Sequence, residues 1–235
     1  MFLYRHSGDG NRKMSDIGPG WNLPRGRNHL PREVVREHQR DRMLEALARA
    51  VSERGISNVS VSDVLARAGV SRATFYENFD DLQGCLVASY RAASEQLIGG
   101  ISEACGSASD WPRGVVAAID FSLDFSRRFP AQAQLLSMTN NVCDPRLERD
   151  SRLVADRLAG LLRAGRERLD SAPVLPDFTE QSLIGGTIGV IGARLACGQL
   201  DQLAGLKPEL AHFLLAPYLG QRGAARLVEA CSATD

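Results

Sequence analysis

Three side chains within one short stretch, Arg72, Thr74 and Tyr76 in SVSDVLARAGVSRATFYENF (residues 60–79), have the types and the spacing to bind a polyanion. A guanidinium offers a planar fork of donors to a guanine edge or a phosphate, a threonine hydroxyl reaches a base edge or a phosphate, and a tyrosine hydroxyl reaches a phosphate oxygen. The same stretch contains its own scaffold. Ser60 and Asp63 form an S-x-x-D capping box that starts a helix through Val64, Leu65 and Ala68, and Gly69 ends it where a left-handed turn residue is wanted. Ser71 then caps a second short helix. Two short helices joined by a tight Gly-containing turn predict a helix-turn-helix, whose second helix enters the major groove of DNA. Val64, Leu65, Val70, Phe75 and Phe79 are expected to bury, which leaves Arg72, Ala73, Thr74 and Tyr76 facing outward.

Those helices need a third to pack against. Pro31 opens, and Gly55 closes, a segment whose Val35, Met43, Leu44, Leu47, Ala50 and Val51 recur at helical spacing, so a helix is predicted over about 31–54. Residues 21–42 are locally basic, with Arg25, Arg27, Arg32, Arg36, Arg40 and Arg42 against Glu33, Glu37 and Asp41. Arg25 and Arg27 stand one residue apart in LPRGRNHLP, between prolines that stop a helix from extending backward; two readings stand side by side, an extended basic arm along the flanking minor groove and a disordered basic tail that only adds charge. Residues 1–20 are rich in Gly and polar residues and read as a disordered tail, without an apolar run of signal-peptide length.

The motif SNVSVSDVLARAGVSRATFYENFDDL resembles the TetR family of bacterial transcriptional regulators, with its capped second helix, A-G-V-S turn and T-F-Y-x-x-F recognition helix. The likeness is specific over about 34–95; beyond it only the number and order of helices agree. It implies a helix-turn-helix domain at 31–81 after a tail and arm at 1–30, then a helical ligand-binding and dimerisation domain at 82–235. It also implies a homodimer on a palindromic DNA operator, acting as a repressor. Ser60 and Ser71 join Arg25, Arg27, Arg72, Ala73, Thr74 and Tyr76 in the expected DNA-facing set. Leu82 stands where family members often carry a phosphate-binding lysine.

The rest of the chain reads as all-α. Leu86, Tyr90, Ala93, Leu97 and Ile101 share one face of a long helix from Leu82; helices then follow Asp110, Pro130 and Asp144, and further ones cover about 179–199, 206–218 and 220–231. Trp111, Phe121, Phe125 and Met138 are the candidate lining of a pocket for a small apolar or amphipathic ligand, with ordinary core as the competing reading. Gly185, Gly189 and Ala193 repeat every fourth residue, which permits close helix approach, within one subunit or between two. By resemblance the last two long helices form the dimer interface, with Leu210 and Leu214 completing it.

Composition narrows the alternatives. Lys plus Arg equals Asp plus Glu at 28 each, so no global charge announces a partner. Five widely spaced cysteines without a C-x-x-C pair give neither a disulfide framework nor a zinc cluster and suit a reducing cytoplasm; Cys105 and Cys143, the candidates for thiol sensing, have no resolving partner nearby in sequence. Four scattered histidines give no metal-ligand spacing. No metal or cofactor is expected. The longest apolar run, 183–193, is too short to span a bilayer, so no membrane partner is expected. An all-α enzyme lacks any visible nucleophile, base or metal constellation; an architectural DNA-binding protein without a ligand is the other alternative.

Overall fold

The computed structural model describes residues 31–138, 144–167, 169 and 173–232. The expected arm residues Arg25 and Arg27, and Cys143, lie outside them. Nine α-helices follow one another with no strand among the described residues: α1 (Arg32–Arg54), α2 (Val61–Ala68), α3 (Arg72–Asn78), α4 (Leu82–Ser107), α5 (Trp111–Arg128), α6 (Pro130–Ser137), α7 (Pro145–Arg166), α8 (Thr179–Ala196) and α9 (Lys207–Ser232).

Helix starts follow their capping residues. Ser60 and Asp63 complete the reciprocal capping box of α2, Ser71 caps α3, Asp81 caps α4, Asp110 caps α5 and Asp144 caps α7. Gly69 ends α2 at φ 62°, where a Cβ would also stand 2.8 Å from Arg42 Nη2. Gly220, at φ 70° and ψ 162°, breaks the helical path inside α9, so the two segments expected at 206–218 and 220–231 are joined only across this kink.

Two cores form. The first gathers Met43, Leu47 and Val51 of α1, Val64 of α2, Phe75 and Phe79 around α3, and Cys85, Leu86 and Tyr90 of α4. The second lies among α4, α5, α7, α8 and α9. The helix-turn-helix packing surface therefore runs past residue 81 into the first half of α4. Helix α6 stands in both: Ala131 and Leu135 belong to the first core and Ala133 to the second. It packs on α1, α4, α5 and α8. Ser52 of α1 donates from Oγ to Gln134 Oε1 of α6 at 2.5 Å, and Ser137 of α6 is the side chain met by a Cβ placed on Gly192 of α8.

Candidate DNA interface and ligand cavity

Helix α3 has seven residues, too few to be stable alone, so its surroundings must hold it. From below, Phe75 is fully buried, a contribution of roughly 1.5–3 kcal/mol. At the N-terminus, Ser71 Oγ accepts from the Thr74 N–H at 3.1 Å and bonds Thr74 Oγ1 at 2.9 Å. At the C-terminus, Arg36 Nη2 donates to the Glu77 carbonyl at 3.1 Å and Arg40 Nη1 to the Asn78 carbonyl at 3.3 Å. Asn78 Nδ2 ties back to the Thr74 carbonyl at 2.8 Å, and the Arg40 guanidinium lies 4.6 Å from the centre of the Phe79 ring. Two cations on the last carbonyls also oppose the negative end of the helix dipole, worth about 0.3–1 kcal/mol each.

This clamp was not anticipated from the sequence. Its only signal in the sequence is the one-turn spacing of Arg36 and Arg40 within the basic run.

Held this way, α3 presents the expected face. Arg72 and Ala73 are exposed, Thr74 is half-buried, and Tyr76 is half exposed with its ring edge-on to Phe75 at 5.4 Å. Arg72 Nη2 reaches Ser62 Oγ at 3.4 Å, a light tether that leaves most of its donors free. Ser60 is more committed. Its hydroxyl donates to Asp63 Oδ2 at 2.6 Å and accepts from the Asp63 N–H, and this bonding, with Arg54 nearby, holds the Asp63 carboxyl below its ordinary pKa. Leu82 is half-buried against the first core, behind exposed Asp80 and Asp81, so position 82 offers no cation to DNA.

In the body a cavity of about 380 Å³ is lined mainly by aliphatic side chains of α4, α5, α7 and α8. Of the four residues expected there, Trp111 and Phe125 line it. Phe121 and Met138 do not. Phe121 fills the notch at Gly100, where a Cβ would stand 1.9 Å from its ring, and so closes the α4–α5 contact instead. Met138 ends α6 on the side of the first core. Cys105 lines the cavity too, with Sγ 3.5 Å from the Gly114 carbonyl; burial raises its thiol pKa, which disfavours the reactive thiolate.

Beside the cavity, Glu180 of α8 is almost fully buried, 3.1 Å from Arg166 and 4.0 Å from Arg163 of α7. It faces Tyr218 of α9, whose hydroxyl pKa is raised by burial and by that carboxylate. Tyr218 in turn meets Trp111 edge-on at 5.1 Å. A buried charge that loses its partner is costly, so this cluster fixes the relative placement of α7, α8 and α9.

Along α8, Gly185, Gly189 and Ala193 are exposed, and no atom of the chain lies within 4 Å of a Cβ built on either glycine. Gly185 and Gly189 also border the cavity, so the space before them belongs in part to the cavity and in part to the surface of α8. Leu210 and Leu214 are a correction: both are buried in the second core, because α9 turns them toward the interior. Its outward apolar residue is Phe213, 44% exposed, whose ring covers Gly186 beside the 42% exposed Val190.

Among the described residues no group of three or more side chains could hold a metal ion, and no helix is long and apolar enough to cross a membrane.

A capped helix pair that projects a short, clamped reading helix, carried on a helical body with an internal cavity, defines a helix-turn-helix DNA-binding regulator. Residues 43–88 match the family described as bacterial regulatory proteins, tetR family. The chain is 27% identical over 199 residues to the HTH-type transcriptional regulator BetI of Burkholderia thailandensis, covering 80% of this chain and 99% of that one. It is 23% identical over 128 residues to the HTH-type transcriptional activator FasR of Mycolicibacterium smegmatis, 54% of this chain and 58% of that one. The fold is shared with the fatty acid degradation regulator FadR of Bacillus halodurans (TM-score 0.67, 18% identity, 74% and 97% of the two chains). It is shared as well with FadR of Bacillus subtilis in complex with stearoyl-CoA (TM-score 0.65, 17% identity, 75% and 97%). Residues 43–88 are thus a DNA-binding domain of the tetR type, set in a chain that shares its overall fold with regulators of that kind.

Proposed function

We propose that this regulator binds a palindromic operator as a homodimer and represses transcription until a small apolar or amphipathic molecule enters the cavity of the body. The observation that carries this reading is the placement of α6. Ala133, Leu136 and Ser137 line the cavity, while Gln134, on the same eight-residue helix, holds Ser52 of α1. A ligand that changes the seat of α6 changes the seat of α1, and with it the angle at which α3 is presented. Helix α4, shared by both cores, moves with them.

Only differential affinity can drive such a change, so the ligand must favour the DNA-free arrangement by the same factor by which it weakens DNA binding. The two α3 helices of a two-fold dimer read inverted half-sites. The face around Gly185, Gly189, Ala193, Val190 and Phe213 supports self-association: it is apolar, exposed and open to a second copy. Arg25 and Arg27 extend the contact into the flanking minor groove in this reading.

Footprinting on fragments selected by the purified protein tests the DNA side: a symmetric protected site is expected, and an asymmetric site protected by a monomer refutes it. Titrating cavity ligand into the protein–operator complex and watching fluorescence anisotropy tests the response. Operator affinity that is unchanged at saturating ligand refutes the coupling.

A further inference from the structure

The cavity has a polar end and an apolar end, and the inference drawn from them rests on the reading of the cavity as the effector site. Helices α4 and α5 run antiparallel, with Gly114 against Cys105 and Phe121 in the notch at Gly100. Helix α7 runs with α4, since Asp150 pairs with Arg91 and Gly165 lies against Trp111. Position along these helices is therefore position along the cavity. The end near the head holds Tyr90, Ser126, Ser151 and Arg152, and the far end holds Cys105, Trp111, Val115, Leu161 and Leu162.

Most polar groups of the lining are already engaged. The serine and threonine hydroxyls donate to carbonyls of their own helices: Ser122 to Ala118, Ser126 to Ser122, Ser137 to Gln134, Ser151 to Glu148 and Thr187 to Leu183. The Cys105 thiol faces the Gly114 carbonyl, and the indole N–H of Trp111 is pressed on Gly165, where a Cβ would stand 1.7 Å from Nε1. Arg152 is at the rim, 75% exposed and paired with Glu148. Tyr90 differs. Its hydroxyl stands at the end of a ring and cannot reach the carbonyl one turn back that a serine bonds. Its side-chain neighbour is Ser94, whose own proton goes to the Tyr90 carbonyl at 2.8 Å, and Asp150 acts on it only through charge. Among the described residues no carbonyl or carboxylate accepts the Tyr90 proton. Burial pushes the phenol pKa up to about 12, so that proton stays on and Tyr90 is a donor. The same side chain is buried in the first core with Phe75 and Leu86, so a ligand that meets it meets the packing of the head.

We propose that Tyr90 is the specificity-determining residue of the cavity and selects an uncharged carbonyl compound, its oxygen on the Tyr90 hydroxyl and its apolar body directed toward Trp111. An apolar molecule of the same shape covers the hydroxyl without pairing it, and a charged one loses its water for a wall with no charge except at the rim.

The test is calorimetric titration of the full chain with two ketone and alkene pairs of matched shape, α-tetralone with 1-methylenetetralin and 2-undecanone with 2-methyl-1-undecene, and with the anion 1,2,3,4-tetrahydro-1-naphthoate. In at least one pair the ketone is expected to bind about tenfold more tightly than its alkene, the worth of one hydrogen bond, and the anion is expected to bind more weakly than α-tetralone. Tyr90→Phe removes the hydroxyl alone and is expected to bring that ketone to within about twofold of its alkene. Alkene binding should stay as in the wild type, which also shows the cavity intact. Arg152→Gln should leave the tenfold preference in place. The assignment is overturned by an alkene that matches its ketone in both pairs, by an anion that matches α-tetralone, or by a preference that survives Tyr90→Phe or is lost in Arg152→Gln. It is overturned as well by equal loss of ketone and alkene in Tyr90→Phe, which would make the phenol a packing element, and by binding of neither pair. Operator anisotropy separates this from the effector reading. Selective ketone binding that leaves operator affinity unchanged sinks the coupling and leaves the Tyr90 assignment standing; release of the operator by ketone and alkene alike does the reverse.

Discussion

The DNA-binding head and the helical body of this regulator use polar side chains in opposite ways. In the head, side chains hold backbone: Ser60 and Ser71 cap, Arg36 and Arg40 bind the last carbonyls of α3, and the groups left over, Arg72 and Tyr76, point to solvent. In the body, the hydroxyls along the cavity turn inward to their own helices and leave an apolar wall. One region recognises by what it displays and the other by what it leaves empty. In the function proposed above, the difference follows from what each region would face, since a wet, charged duplex rewards exposed donors and an apolar ligand rewards a surface with none.

The largest test of that contrast is Phe75→Ala. The side chain is fully buried under α3, and its loss should cost about 3–5 kcal/mol. Because α4 and α6 belong to both cores, urea unfolding should remain a single transition at lower midpoint; two separated transitions would show head and body to be independent.

Next is Arg72→Ala, which should weaken operator binding by about 1–3 kcal/mol if the side chain reads a base, with no change in melting temperature. Removing the clamp instead, by Arg36→Ala with Arg40→Ala, should lower operator affinity and speed amide exchange within α3 in the free protein. Unaltered exchange with a reduced salt slope would mean that these arginines touch phosphate and do not hold the helix.

Severing the link between the two regions should have a smaller effect. Gln134→Leu removes the acceptor of Ser52 and should reduce the ligand's effect on operator affinity by about 0.5–2 kcal/mol, with ligand binding to the free protein nearly unchanged. Equal coupling in the variant and the wild type would direct attention to α4.

The mildest test is acid. Asp63 in the head and Asp110 and Asp144 in the body hold carboxyls below the ordinary 3.8, Asp63 chiefly through Ser60, Asp110 through the Arg113 N–H and Asp144 through the Arg146 side chain. A depressed folded pKa means stability present above the ordinary value and lost as pH falls below it toward the folded value. Asp41, raised by burial, works in the opposite direction. Melting temperature should therefore hold from pH 6 to about 4.5 and decline below it, and Asp110→Asn, which keeps a capping acceptor without a titrating charge, should make that decline shallower.

The head was legible in the sequence because its determinants are local. A capping box, a left-handed glycine and an N-cap serine act within four residues, and α2 and α3 begin and end where those residues stand. The helices of the body were legible for the same reason, from Asp110-Trp-Pro and Asp144-Pro. What periodicity does not contain is the rotation of one helix against another. Leu210 and Leu214 share a face of α9 and turn inward, while Phe213, one residue from Leu214, faces out. Phe121 and Phe125 are one turn apart on α5, yet only Phe125 reaches the cavity, since Gly100 on α4 opens a notch that takes the other ring. The clamp of Arg36 and Arg40 spans about forty residues of sequence, and the hand of α6 on both cores depends on where four other helices pass. Short-range hydrogen bonds and backbone conformation determined which helices exist and where they end; the packing of distant surfaces decided which side chains face solvent, cavity or core, because burial is a property of the neighbours and not of the residue.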